Sequence, residues 1–98
     1  MKGSNAARGE VFADLAGAPR RLCLTLGALA EMEGALGVQG IESLAARMRA
    51  LSAGDLMAVL AALLRGGGEP ELADGLGAAR IDARAAAEAV AAAFAAAV

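Results

Sequence analysis

The chain has 98 residues and a formal net charge of -2, from nine Lys/Arg and eleven Asp/Glu; 58% of it is apolar, and much of that fraction is alanine. This length bounds it to one domain, residues 1–98, whose modest core invites extra stabilisation by self-association or by a partner. The balanced charge, with the basic pairs Arg20-Arg21 and Arg47-Met48-Arg49 lacking interleaved aromatics, points away from nucleic acid; the absence of histidine removes the commonest general base and metal ligand.

Residues 1–8 are small and polar and are read as disordered, and they lack the apolar stretch of a signal peptide. Over residues 9–26 the apolar positions alternate, predicting a β-hairpin. Val11, Ala13 and Leu15 face one way and Phe12 and Asp14 the other; Ala16-Gly17-Ala18-Pro19 supplies the reversal; Leu22, Leu24 and Leu26 then oppose Arg21, Cys23 and Thr25. An isolated two-stranded hairpin is marginal in water, so its leucine face must lie on the helices that follow.

Residues 27–98 are read as helical. At Thr25-Leu26-Gly27 the period changes from two to three or four. Thr25 caps a first helix with Leu29, Met32 and Leu36 on one stripe, ended by Gly37. Ile41, Leu44, Met48 and Leu51 mark a shorter second helix. Ser52 and Asp55 form a capping box for a third, strongly apolar and central, with Leu56, Met57, Leu60, Leu63 and Leu64, stopped by Gly66-Gly67-Gly68. Glu69-Pro70 opens a short helical turn through Leu72 and Leu76, and Asp82 caps a last, alanine-rich helix with Val90, Phe94 and Val98 at i, i+4, i+8. The fold class is therefore α+β: an N-terminal β-hairpin followed by a bundle of about four mostly short helices.

Chemistry is sparse, and no cofactor is expected. Glu31 and Glu33 lie two apart on a helix and diverge by about 200° at 3.6 residues per turn, which argues against a paired acid and base. Glu69, Glu71 and Asp74 lack the ligand spacing of a calcium loop, and the triglycine lacks the Lys and Ser/Thr of a phosphate loop. Cys23, the single cysteine, has no partner for an internal disulfide and fits a reducing, cytoplasmic setting; the longest uncharged run, from Ala89, is far short of the roughly 20 residues that cross a bilayer. What remains is apolar surface. Phe12, Val90, Phe94 and Val98 are the candidate partner-binding residues, Phe12 as an aromatic on the far side of its strand and the others as a stripe at the chain end.

The blocks Arg8-Gly9-Glu10-Val11, Leu22-Cys23-Leu24-Thr25-Leu26-Gly27-Ala28-Leu29-Ala30-Glu31 and Ser52-Ala53-Gly54-Asp55-Leu56 resemble the small tail assembly chaperones of gene transfer agents and related long-tailed phages. The resemblance covers residues 8–65. It implies a non-enzymatic protein of a prophage-like cluster that binds the tape measure protein, helps tail tube subunits polymerise around it, works in the bacterial cytoplasm and is absent from the finished particle. The alternatives are a structural minor tail or neck component that stays in the particle as a ring, and a bacterial helical adaptor.

Overall fold

The computed structural model describes residues 9–97; the expectation for residues 1–8 and the place of Val98 lie outside them. Strands β1 (Glu10–Leu15) and β2 (Ala18–Cys23) form an antiparallel hairpin, followed by helices α1 (Leu26–Leu36), α2 (Ile41–Met48), α3 (Ala53–Gly66), α4 (Pro70–Asp74) and α5 (Ala83–Ala96), with a 3-10 turn at Leu76–Ala78 between the last two. The expected α+β architecture is the observed one.

The hairpin is tighter than its sequence suggested. Its register pairs Leu15 with Ala18 and Val11 with Leu22, so only Ala16 and Gly17 turn, both at positive φ (55° and 83°), and Ala18 and Pro19 belong to β2. Two consecutive positive φ values match the right-handed twist of the flanking strands. Pro19 is tolerated because it pairs with Asp14 at a position whose N–H would point away from β1. The hairpin also ends earlier than residue 26: β2 stops at Cys23, and Leu26 is the first residue of α1, 83% exposed rather than part of the leucine face. Thr25 overrides the alternation there by turning its Oγ1 to accept from the Ala28 N–H at 3.0 Å, which starts the helix.

α3 is the centre of the molecule. Val59, Leu60, Leu63 and Leu64 are fully buried along it, meeting Leu22 of β2 and Met32 of α1; full burial of each such side chain stabilises by about 1.5–3 kcal/mol. Its start carries the expected capping box: Ser52 Oγ accepts from the Asp55 N–H at 3.1 Å and Asp55 Oδ2 from the Ser52 N–H at 3.3 Å. Its end is more than a stop. β2 crosses it so closely that a Cβ on Gly66 would fall 2.2 Å from the Cys23 carbonyl oxygen, and one on Gly67 2.0 Å from that of Arg21. The triglycine is thus a seat for a strand, and the Arg21 guanidinium closes it by donating from Nε to the Gly67 carbonyl at 2.7 Å.

Ion pairs brace the helices. Arg65 of α3 reaches Glu31 of α1 and, at 3.0 Å, Asp74 of α4. The Asp74 hydrogen bond, more than any other neighbour, raises the Arg65 pKa above its ordinary value. α5 lies against β1 and α3 through Ala86, Ala89, Val90 and Ala93, small side chains that allow close approach, and Asp82 caps it by accepting from the Ala85 N–H at 3.1 Å. Two smaller expectations change. α2 ends at Met48, leaving Leu51 in the loop before α3, and the turn after Pro70 breaks at Gly75, leaving Leu76 in the 3-10 segment.

Candidate functional site

α2 is the least embedded helix. At eight residues it buries a single side chain, Leu44, and leaves Ile41 73% exposed. Its remaining apolar residues therefore face a gap. Between α1, α2 and the end of α5 lies a groove of about 600 Å³ lined by Leu29, Ile41, Leu44, Met48 and Phe94, with Leu24 and the alanines Ala45, Ala91 and Ala97 completing its wall. No ionisable side chain lines it, so its chemistry is that of apolar docking rather than catalysis.

The groove keeps its shape through one arginine. Arg47, a half-buried residue of α2, donates from Nη1 to the Leu36 carbonyl at the end of α1 (2.9 Å), and from Nε and Nη2 to the two carboxylate oxygens of Asp55 (3.0 and 3.2 Å). Three elements are thereby tied at one guanidinium: the end of α1, α2 and the start of α3. A planar fork matched to a carboxylate is the geometry that fixes direction as well as distance. The Arg47 hydrogen bond is the main reason the Asp55 carboxyl lies below its ordinary pKa, with the Ser52 amide adding to it. On the other side of the loop, Glu33 Oε2 accepts from the Gly40 N–H at 2.9 Å and fixes the entry to α2.

The candidate residues separate. Phe94 lines the groove, half-buried. Val90, one turn earlier, is 3% exposed and belongs to the core, so it presents no surface to a partner. Phe12 is 49% exposed on the outer face of the hairpin, opposite Arg21, and does not line the groove. Val98 lies outside the described residues. Leu29, Leu44 and Met48 were legible only as core stripes; the signal that they form a groove is that a helix bounded by Gly40 and Ser52 is too short to bury Ile41, Leu44 and Met48 together.

Four of the five carboxylates singled out in the sequence have structural partners. Glu31 pairs with Arg65 and Glu33 with the Gly40 amide; Glu69 accepts from the Arg21 N–H, and Asp74 pairs with Arg65. Among the described residues, no group of three His, Cys, Asp or Glu is placed to hold a metal ion, and no helix is long and apolar enough to cross a membrane.

Residues 8–98 match the family model described as "Phage tail tube protein, GTA-gp10". The comparisons with curated proteins and with solved structures give no match. The family match upholds the resemblance to gene transfer agent and phage tail proteins and extends it beyond residue 65, through α5. It corrects the function expected from that resemblance. The matched family is described as a component of the tail tube, which overturns the reading of the chain as a chaperone on the tape measure protein and supports the structural alternative.

Proposed function

The chain belongs to the phage tail tube protein, GTA-gp10, family, and from that membership we propose that it is a structural, non-enzymatic component of a phage-like tail, built into the particle through contacts with neighbouring tail subunits. The observation that carries this reading is the family match over residues 8–98. The groove between α1, α2 and α5 supports it. An apolar groove on one face, filled by a different patch of the next copy, makes a head-to-tail contact, and such contacts close into rings where the rotation permits. A rim as apolar as Ile41 on an eight-residue helix has a cost in water that an adjoining subunit removes.

The test is mass spectrometry of purified particles from the producing strain, together with light scattering of the isolated chain after size exclusion. The chain is expected in the finished particle at a constant ratio to the other tail subunits. Particles that lack it, or hold it only in trace, would overturn the structural role.

A further inference from the structure

The hairpin has two edges, and among the described residues only one is closed by hydrogen bonds. Leu24 donates its N–H to the Gly9 carbonyl at 3.4 Å, which extends the ladder through the pairs Val11 with Leu22, Ala13 with Arg20 and Leu15 with Ala18. Antiparallel ladders alternate, so the backbone groups of the residues in between point outward. On β2 the outward N–H of Arg21 donates to Glu69 Oε2 at 3.0 Å, and the outward carbonyls of Arg21 and Cys23 lie over Gly67 and Gly66. That edge is sealed by the end of α3 and the residue before α4. On β1 the outward groups belong to Glu10, Phe12 and Asp14, and among the described residues the main chains of Phe12 and Asp14 have no hydrogen-bond partner beyond the hairpin.

We propose that the β1 edge is a docking site for an extended strand of another protein, one that carries cationic residues on either side of an apolar residue at alternate positions. Strand addition to an open edge takes its affinity from main-chain hydrogen bonds and its specificity from alternate side chains. The outer face of β1 reads Glu10, Phe12, Asp14. Arg21 approaches Glu10 at 3.7 Å, whereas Asp14 has no ion pair among the described residues. A strand laid antiparallel along this edge sets its alternate residues opposite that series, where opposite charges stabilise and like charges do the reverse.

The same charge series disfavours full-register pairing of this edge with a second copy of itself. Two β1 strands related by a two-fold axis, aligned over their full length, set Phe12 against Phe12 but Glu10 against Asp14 on both sides, an acid facing an acid twice. Head-to-tail pairing of the β1 edge with the β2 edge of a second copy is closed off as well, because the β2 edge is already covered by Glu69 and the glycine seat. Charge complementarity with Asp14 and Glu10 therefore favours a basic strand of another protein. This inference rests on the chain being an assembled subunit and names the chemistry of one of its neighbours.

Amide exchange read by NMR tests the edge alone, while particle mass spectrometry tests the subunit role, so the two fail separately. The probe is the synthetic peptide Thr-Lys-Thr-Val-Thr-Lys-Thr, with Thr-Glu-Thr-Val-Thr-Glu-Thr as its charge-reversed control. The lysine peptide is expected to slow exchange at the Phe12 and Asp14 amides about tenfold, leave Leu22 unchanged, and lose most of that effect in the Asp14→Lys variant. Asp14 is exposed, so this variant keeps the fold. Equal protection by both peptides, or protection by neither, would overturn the proposal. So would protection that appears without peptide and grows with protein concentration, since that is the signature of a second copy.

Discussion

The Arg21 carbonyl oxygen and the Gly67 α-carbon meet without room for a side chain between them: a Cβ there would lie 2.0 Å from the oxygen. Neither group can retreat, because Arg21 lies in β2 between Arg20 and Leu22, which pair with Ala13 and Val11, and its N–H and guanidinium are held by Glu69 and the Gly67 carbonyl. Gly67→Ala is expected to destabilise by about 3 kcal/mol or more, at the upper end of overpacking costs. Gly34→Ala provides the contrast. Gly34 sits within α1 with nothing within 4 Å of its missing Cβ, so alanine there is expected to stabilise by about 0.5–1 kcal/mol. Urea unfolding of the two variants checks both signs.

Asp55 makes stability depend on acid. Its folded pKa is below the ordinary value of 3.8, first through the Arg47 hydrogen bond. A lowered carboxylate pKa contributes stability that is complete above the unfolded value and is lost as pH falls through the folded one. The urea midpoint is therefore expected to fall between about pH 5 and pH 3 with a steeper slope in the natural chain than in Asp55→Asn, and the two curves are expected to converge at the acid end. Arg47→Met, which keeps the stem and removes the fork, should flatten the curve in the same way.

Local signals were the legible part of this fold. Thr25, Ser52 and Asp82 each announce a helix start by a side chain that accepts a nearby amide, and all three caps are present. Alternation and helical spacing likewise located both strands and the apolar stripe of α3. What the sequence hides is proximity between distant segments. Nothing in Gly66-Gly67-Gly68 distinguishes a stop from a seat until β2 is laid across it. The ladder parity that leaves Phe12 and Asp14 with outward amides depends on a two-residue turn that Ala16 does not advertise. The groove is hidden for a similar reason: a stripe such as Ile41, Leu44 and Met48 looks the same whether or not a neighbour reaches it.

Ala16 occupies the left-handed region at φ 55°, where an L side chain crowds its own carbonyl. Asparagine tolerates that conformation, and Asn-Gly is the preferred pair for this turn. Ala16→Asn is expected to stabilise by about 0.5–1 kcal/mol without altering the register. Thermal unfolding gives the stability, and cross-strand contacts between Leu15 and Ala18 in the NMR spectrum confirm that the turn has not slipped.

Ile41 and Phe94 line the same groove but differ in what they hold together. Ile41 is mostly solvent-exposed, so Ile41→Asp is expected to leave the stability of the isolated chain within about 0.5 kcal/mol while sharply lowering its incorporation into particles. Phe94 also packs on the core, and Phe94→Ala should cost about 1–2 kcal/mol along with incorporation. Calorimetry of the purified variants, set beside mass spectrometry of the particles they yield, separates the two effects.

The seat that β2 finds on α3 also sets a timetable for the newborn chain. Arg21 leaves the ribosome long before Gly67, 46 residues later, so at synthesis rates of about 5–20 residues per second the hairpin waits roughly 2–10 s with Leu22 uncovered. Folding of this protein therefore cannot advance steadily from the first residue to the last. Its first-made element is among the last to be secured, and translation itself decides how long that leucine stays open to other chains.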